Sequence, residues 1–438
     1  MLRAFRDAFQ VPELRRKFLI TLSLLAFFRL GAAITTPGVN ADALAQQLNA
    51  SGAGNALAIF SIVSGGNLEQ FSIFALGVLP YITASIIMQL LTSAVPTLEK
   101  LQKEGEEGRR KINQYTRFAA IGLGAMQSFL FASTLLSSEA LLLPGWSSNI
   151  WLFRLMVVIT QCCGIALAMW IGERITEYGI GNGISLLIFA GIVTRFPSDI
   201  ARTAELLNTG AISTVSLIAF LVLILAVIAA IVLVQQGERR IPVQYARKVV
   251  GRKVYGGQAT YIPLKVITAG VIPIIFASAI LSLPQISAVS LPDVGWLQWL
   301  SSFLSTTRAS GLIVEVALIM AFTYFYTSVN FDPKRVAENL REYGGFVPGV
   351  RPGQATAEHL ERISSRITLW GALFLGALAV LPIIFTNWTR ITTFPLGGTT
   401  LLIVVGVALD TLKQIESQLT IRNYEGFIRK GRIRGRTS

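Results

Sequence analysis

Side chains able to carry chemistry are few in this chain, and their spacing suits no catalytic constellation. His359 is the single histidine. It falls in a polar segment, so a His-based triad, a multi-histidine metal site and a buried histidine proton relay have no candidate inside the apolar stretches. Cys162 and Cys163 are adjacent within an apolar run, a spacing that serves neither a disulfide framework nor a metal site. The run Gly179-Ile180-Gly181-Asn182-Gly183 has the glycines of a phosphate loop, but no strand precedes it and the GxGxxG spacing fails, so it reads as a tight turn. There is no P-loop, and ATP-driven work would have to come from a partner. The reading is of a protein that is not an enzyme, with no catalytic residue, no metal and no cofactor.

Ionisable residues at membrane depth mark function by default, and five fall in or beside apolar runs: Arg29, Arg154, Glu315, Asp410 and Lys413. An ion-coupled secondary transporter for a small solute wants a carboxylate beside its broken helices, yet the stretches around Pro80 and Pro273 are purely apolar. Aliphatic residues offer another chemistry. Val78 and Ile82 lie four apart and share a helix face, as do Ile184 and Ile188. Together with Ile275 and Ile403 they could close an aliphatic ring, which would dewet and block ions while its side chains yield to a wide substrate. Taken alone, the same six residues also fit ordinary packing.

The elements that must position these residues are membrane spans. Of 438 residues, 53% are hydrophobic and 14% charged, and apolar runs near the length needed to cross a bilayer recur throughout, which places the chain among all-α polytopic membrane proteins. Ten spans are expected, near 18–36, 71–94, 117–137, 151–171, 183–194, 214–235, 264–284, 311–329, 366–386 and 398–416; the fifth is the shortest. The first apolar run lacks a cleavage pattern and is expected to stay in the protein. With the N-terminus inside, 32 of the 38 Lys and Arg residues fall on the cytoplasmic side and four outside, so both termini are expected in the cytoplasm.

Residues 57–95 organise the rest. Leu57 to Ser64 is too short to cross, whereas Phe71 to Ala94 is long enough but is interrupted by Gly77 and Pro80. A matching hexapeptide recurs in the second half: Gly77-Val78-Leu79-Pro80-Tyr81-Ile82 against Gly270-Val271-Ile272-Pro273-Ile274-Ile275. Ten spans then divide into inverted halves, 1–195 and 214–416, joined by an external loop, 196–213, that serves as a hinge or a plain connector. A basic tail, 417–438, follows. Broken spans at corresponding places of two halves point to a central pathway. Two long basic loops interrupt the second half. Residues 236–265 mix cations with Tyr245, Tyr255 and Tyr261 and carry turn glycines, so a hairpin-like excursion is expected; residues 330–366 predict a short helix from Pro333 to Tyr343 and a Gly/Pro-rich tip around Arg351. Ordered basic protrusions with exposed aromatics suit an acidic partner such as ribosomal RNA, while solvated charge that only sets orientation would explain the charge alone.

The stretches SGGNLEQFSIFALGVLPYITASIIMQLL (64–91), EGEEGRRKINQYTR (104–117), ERITEYGIGNGISLLIFAGI (173–192), KVITAGVIPIIFASAI (265–280), FVPGVRPGQAT (346–356) and GGTTLLIVVGVALD (397–410) resemble the bacterial SecY family, the channel-forming subunit of the Sec protein translocon. The resemblance implies a ten-span clamshell of two pseudo-symmetric halves that passes unfolded secretory polypeptides across the plasma membrane and releases membrane segments sideways through a lateral gate. It implies a plug at 57–67 (Leu57, Ile59, Phe60, Ile62, Val63, Ser64, Gly65, Gly66 and Asn67). It also implies a pore ring of Val78, Ile82, Ile184, Ile188, Ile275 and Ile403, with Val78 where isoleucine is usual. Docking sites for the motor SecA and the ribosome fall on Arg239, Arg240, Lys248, Arg252, Lys253 and Arg351. SecE and SecG are the implied membrane partners, with signal sequences, unfolded chains and lipid as the other contacts.

Overall fold

The computed structural model describes residues 11–50, 66–68, 70–136, 141–146, 149–210, 212–245, 248–250, 253–255, 259–268, 270–290, 294–305, 308–389 and 398–430. It comprises two compact units. One holds residues 1–201, 289–291 and 403–438, the other 202–288 and 292–402. Among the described residues, five helices are long and apolar enough to cross a membrane, or six if one bent pair counts as a span. The other expected crossings lie on helices Pro12–Ala32, Glu106–Leu136, Ile272–Ser290 and Gly398–Lys430.

The first unit is built on α1 (Pro12–Ala32), α2 (Ala41–Ala50), α3 (Leu79–Ala94), α4 (Pro96–Lys103), α5 (Glu106–Leu136), α6 (Ile150–Tyr178) and α7 (Gly183–Val193); α8 (Phe196–Asn208) follows, its residues from 202 on belonging to the second unit. Helix α6 is its central post. Phe153, Val157, Gln161, Gly164, Ile165, Ala168 and Ile175 are buried along it, a helical stripe that packs against α1, α3, α5 and α7. The turn after α6 is tight, as the glycines predict. Asn182 caps α7, its Oδ1 accepting from the backbone N–H groups of Ile184 at 3.1 Å and Ser185 at 3.3 Å. Thr21 on α1 reaches across to accept from the Ile180 N–H at 3.1 Å.

Three expectations change here. Residues 71–78 are not helical, and α3 begins only at Leu79. Gly77 adopts φ +55°, outside the right-handed helix, and Pro80 supplies no N–H, so the ladder starts after the break instead of spanning it. At its other end α3 turns by 99° into α4. The fifth span is not short: the residues from Gly183 run on to Asn208, 26 in all, so the stretch expected as an external loop carries α8.

The second unit contains α9 (Thr214–Gln236), α10 (Ile272–Ser290, all but its last two residues), α11 (Gly295–Phe303), α12 (Ala309–Asn330), α13 (Pro333–Glu342) and α14 (Gln354–Thr389); α15 (Gly398–Lys430) follows, and from residue 403 on it belongs to the first unit. Along α9 the buried residues are Phe220, Val227 and Ile231, while the apolar Val215, Leu225 and Leu233 are largely exposed. Between α9 and α10 lie β1 (Glu238–Tyr245), β2 (Lys248–Val250), β3 (Lys253–Tyr255) and β4 (Ala259–Lys265); β5 (Gly345–Phe346) follows α13.

Candidate functional site

The two broken spans share one local geometry. Gly270 has φ +60° against +55° for Gly77, and α10 begins two residues later, as α3 does. The first backbone bonds correspond as well: the Ile82 N–H donates to the Val78 carbonyl at 3.0 Å, and the Ile275 N–H to the Val271 carbonyl at 3.3 Å. The hexapeptide repeat is therefore a structural repeat, and Ile82 and Ile275 occupy its equivalent positions. Of the six aliphatic residues, Val78, Ile188, Ile275 and Ile403 are buried. Ile82 and Ile184 are half-buried.

The non-helical segment before α3 is held from within. Its backbone pairs with the end of α1's connection, the Thr36 N–H donating to the Phe71 carbonyl at 2.9 Å and the Ile73 N–H to the Ile34 carbonyl at 3.0 Å. Gln161, in the middle of α6 and 1% exposed, donates its Nε2 hydrogens at 2.9 Å to both the Ser72 carbonyl and the Thr36 hydroxyl. The Ser72 carbonyl also accepts from the Ala75 N–H at 2.9 Å, so the Gln161 amide adds a second donor there and ties the segment to a neighbouring helix. Gly164 stands one turn below, where a Cβ would come within 1.7 Å of the Ile73 carbonyl oxygen, so only glycine lets α6 approach this backbone. Gln161 was absent from the sequence-based candidates; an amide in the middle of the apolar run around Cys162 was the available signal. Of the expected plug, Leu57, Ile59, Phe60, Ile62, Val63, Ser64 and Gly65 lie outside the described residues. Gly66 has φ +81°, and Asn67 is buried, its carbonyl accepting from the Ser72 N–H at 3.0 Å.

The basic loops form one platform in the second unit. β1 pairs antiparallel with β4 from Glu238↔Lys265 to Gln244↔Ala259, giving the expected hairpin, and β2 pairs with β3 beyond it. β5 from the other loop adds to the free edge of β1 through Gln244↔Phe346 and Tyr245↔Gly345, so the sheet order is β4-β1-β5. Alternation along β1 turns Ile241 and Val243 inward, where Leu264, Val347 and Leu360 complete a small core. Asp332 caps α13, its Oδ1 accepting from the Lys334 N–H at 3.0 Å, and Val336 and Leu340 seat the helix on the same core.

This framework sorts the cations. Arg240 and Glu238 share one strand face; the Arg240 Nε–H donates to Glu238 Oε1 at 2.7 Å, and its guanidinium lies 4.8 Å from the centroid of the Tyr261 ring. The hydrogen bond to Glu238, followed by the charge of Tyr261, raises the Arg240 pKa above its ordinary value. Arg239 and Arg351 are exposed and have no ion-pair partner among the described residues. The Arg351 backbone is pinned, its carbonyl accepting from the buried Thr356 hydroxyl at 2.8 Å. Lys248 and Lys253 lie on β2 and β3, and Arg252 lies outside the described residues. Tyr261, Tyr343 and Phe346 are exposed aromatics on this platform.

A SecY family profile matches residues 72–412. The chain belongs to the SecY family. It is 58% identical over 438 residues, the whole of both chains, to the protein translocase subunit SecY of Thermus thermophilus. It is 45% identical over 444 residues, again the whole of both, to that of Thermotoga maritima. Among solved structures it matches a protein-conducting channel (TM-score 0.64, 19% identity, 92% of each chain) and Sec61 in the canine ribosome-channel complex from the endoplasmic reticulum (TM-score 0.60, 18% identity, 92% of each). The fold is thus the all-α polytopic SecY fold of a multi-pass membrane protein. The alternative of an ion-coupled transporter finds no support among these SecY and Sec61 relatives.

Proposed function

We infer that this SecY-family chain is the channel-forming subunit of a bacterial Sec translocase, passing unfolded polypeptides across the plasma membrane and releasing apolar segments into lipid. The observation that carries this reading is the full-length identity to translocase subunits, joined to two broken spans of equivalent geometry that place Ile82 and Ile275 at matched positions. In this reading the halves 1–195 and 214–416 flank the pathway, Val78, Ile82, Ile184, Ile188, Ile275 and Ile403 line its constriction, and 57–67 plugs it. A hydrocarbon constriction excludes ions by dewetting and grips any side chain without sequence preference. A seam open to lipid lets each arriving segment partition by its own hydrophobicity. The chain itself does no bond chemistry.

The basic platform faces the cytoplasm, with both termini, and docks SecA and the ribosome; SecE and SecG complete the membrane complex. Arg239 and Arg351 carry charge that no acid among the described residues neutralises, whereas Arg240 is already engaged, so the first two are the principal contacts for phosphate or carboxylate. Vesicles reconstituted with the chain and its membrane subunits test the whole reading. Import of a precursor protein that requires SecA and ATP is expected, and ion-gradient-driven uptake of a small solute in its place overturns it.

A further inference from the structure

Arg154 is a cation inside a membrane-spanning helix that neither the pore nor the platform uses. It is the fifth residue of α6, about 6 Å along the axis from the Ile150 end at 1.5 Å per residue. Its side chain is half-buried, and its Nε has no hydrogen-bond partner among the described residues. No ion pair reaches it among the described residues. The guanidinium instead sits 5.2 Å from the centroid of the Phe129 ring on α5 and 5.5 Å from that of Trp151. These rings do not face a protein core. Trp151 is 72% exposed, Leu155 61% and Phe129 41%, an apolar surface of the kind that meets lipid.

Aromatic rings orient a guanidinium without neutralising it. A charge on a lipid-facing surface is retained only where it reaches water or an anion, and a long side chain near a helix end reaches the headgroup layer. Tryptophan concentrates at that same depth. The planar fork of arginine matches a phosphate through two parallel hydrogen bonds, and a headgroup with net negative charge brings no ammonium to compete for it. We propose that Arg154, held by Phe129 and Trp151, binds the phosphate of an anionic phospholipid in the leaflet at the Ile150 end of α6. The site rests on the chain being a multi-pass membrane protein, and not on its being a channel. Glu139, the one carboxylate in residues 137–149, lies outside the described residues and is the intramolecular competitor that the experiment must separate.

The full-length chain, reconstituted with its membrane subunits in nanodiscs of mixed phosphatidylglycerol and phosphatidylcholine, is released into mild detergent, and retained lipids are counted by native mass spectrometry. Wild type is expected to keep one more phosphatidylglycerol than Arg154→Leu, Arg154→Lys to keep it several-fold more weakly, and Glu139→Gln to match wild type. Equal counts in wild type and Arg154→Leu overturn the site. A gain of lipid in Glu139→Gln overturns it too, because it assigns Arg154 to that carboxylate, and equal retention of phosphatidylcholine overturns the anionic class. A second readout needs no Arg154 variant: brominated phosphatidylglycerol should quench the part of the fluorescence that Trp151→Phe removes more strongly than brominated phosphatidylcholine, and equal quenching overturns the proposal.

Discussion

Gln161→Leu removes the amide that holds the non-helical segment before α3 and leaves the volume nearly unchanged, so any effect is electrostatic in origin and not a cavity. Two buried groups lose a donor: the Thr36 hydroxyl, in a residue with 1% exposure, and the Ser72 carbonyl, in a residue with 0%, which keeps the Ala75 N–H at 2.9 Å. With about 0.5–1.5 kcal/mol for the carbonyl's lost second bond and about 1–3 kcal/mol for the hydroxyl left without its donor, the cost is about 1.5–4.5 kcal/mol before relaxation. That cost falls on residues 66–78 and not on α6, whose own ladder is intact. Since 1.4 kcal/mol is tenfold in an equilibrium constant, local opening of the segment should rise by at least about tenfold. Hydrogen exchange reads it directly at the amides of Ser72, Ile73 and Phe74, which donate to the Asn67 carbonyl, the Ile34 carbonyl and the Ser72 hydroxyl. Resting ion conductance should rise in parallel if this segment leads into the seal. Exchange at these three amides within about threefold of wild type would refute the reasoning, since the Ala75 N–H would then suffice to hold the segment.

Serine at Ile82, Ile188 and Ile275 together should wet the constriction, raising resting ion leak in planar bilayers several-fold and loosening discrimination between signal sequences; wild-type leak in the triple variant counts against the ring. Reversing charge at Arg239 and Arg351 should weaken ribosome or SecA binding by about tenfold or more at low salt and less at high salt, whereas Arg240→Gln should matter less because its charge is already engaged; an equal loss at all three positions contradicts that ranking. Ile241→Ala should destabilise the platform by about 2–5 kcal/mol, seen as faster proteolytic cleavage between β1 and β4 with the spans unaffected, and unchanged cleavage would mean that the small core does not hold the hairpin.

What could be read in advance was whatever is written locally. The broken spans announced themselves in Gly77-Pro80 and Gly270-Pro273, because a positive-φ glycine and a missing N–H act on their own neighbours. The hairpin was legible for the same reason, in its turn glycines, and the short helix from Pro333 lies where it was expected. The start of α3 was set too early because hydropathy measures length of apolar sequence and is blind to the φ of Gly77. Helix α8 was missed because its polar residues resemble a loop, and β5 because two residues carry no alternation. Gln161 meets Thr36 and Ser72 across 125 and 89 residues, a pairing that no local pattern encodes. The free and engaged arginines were likewise indistinguishable until the β1 register placed Glu238 and Tyr261 around Arg240.

The two-residue strand β5 makes the basic platform a single mechanical handle. Through it, the sheet is fastened at once to the end of α9, the start of α10, the end of α12 by way of α13, and the start of α14; the Val266 N–H donating to the Gly237 carbonyl at 3.1 Å closes the base. If the proposed docking holds, a partner bound at either loop would pull on four helices together.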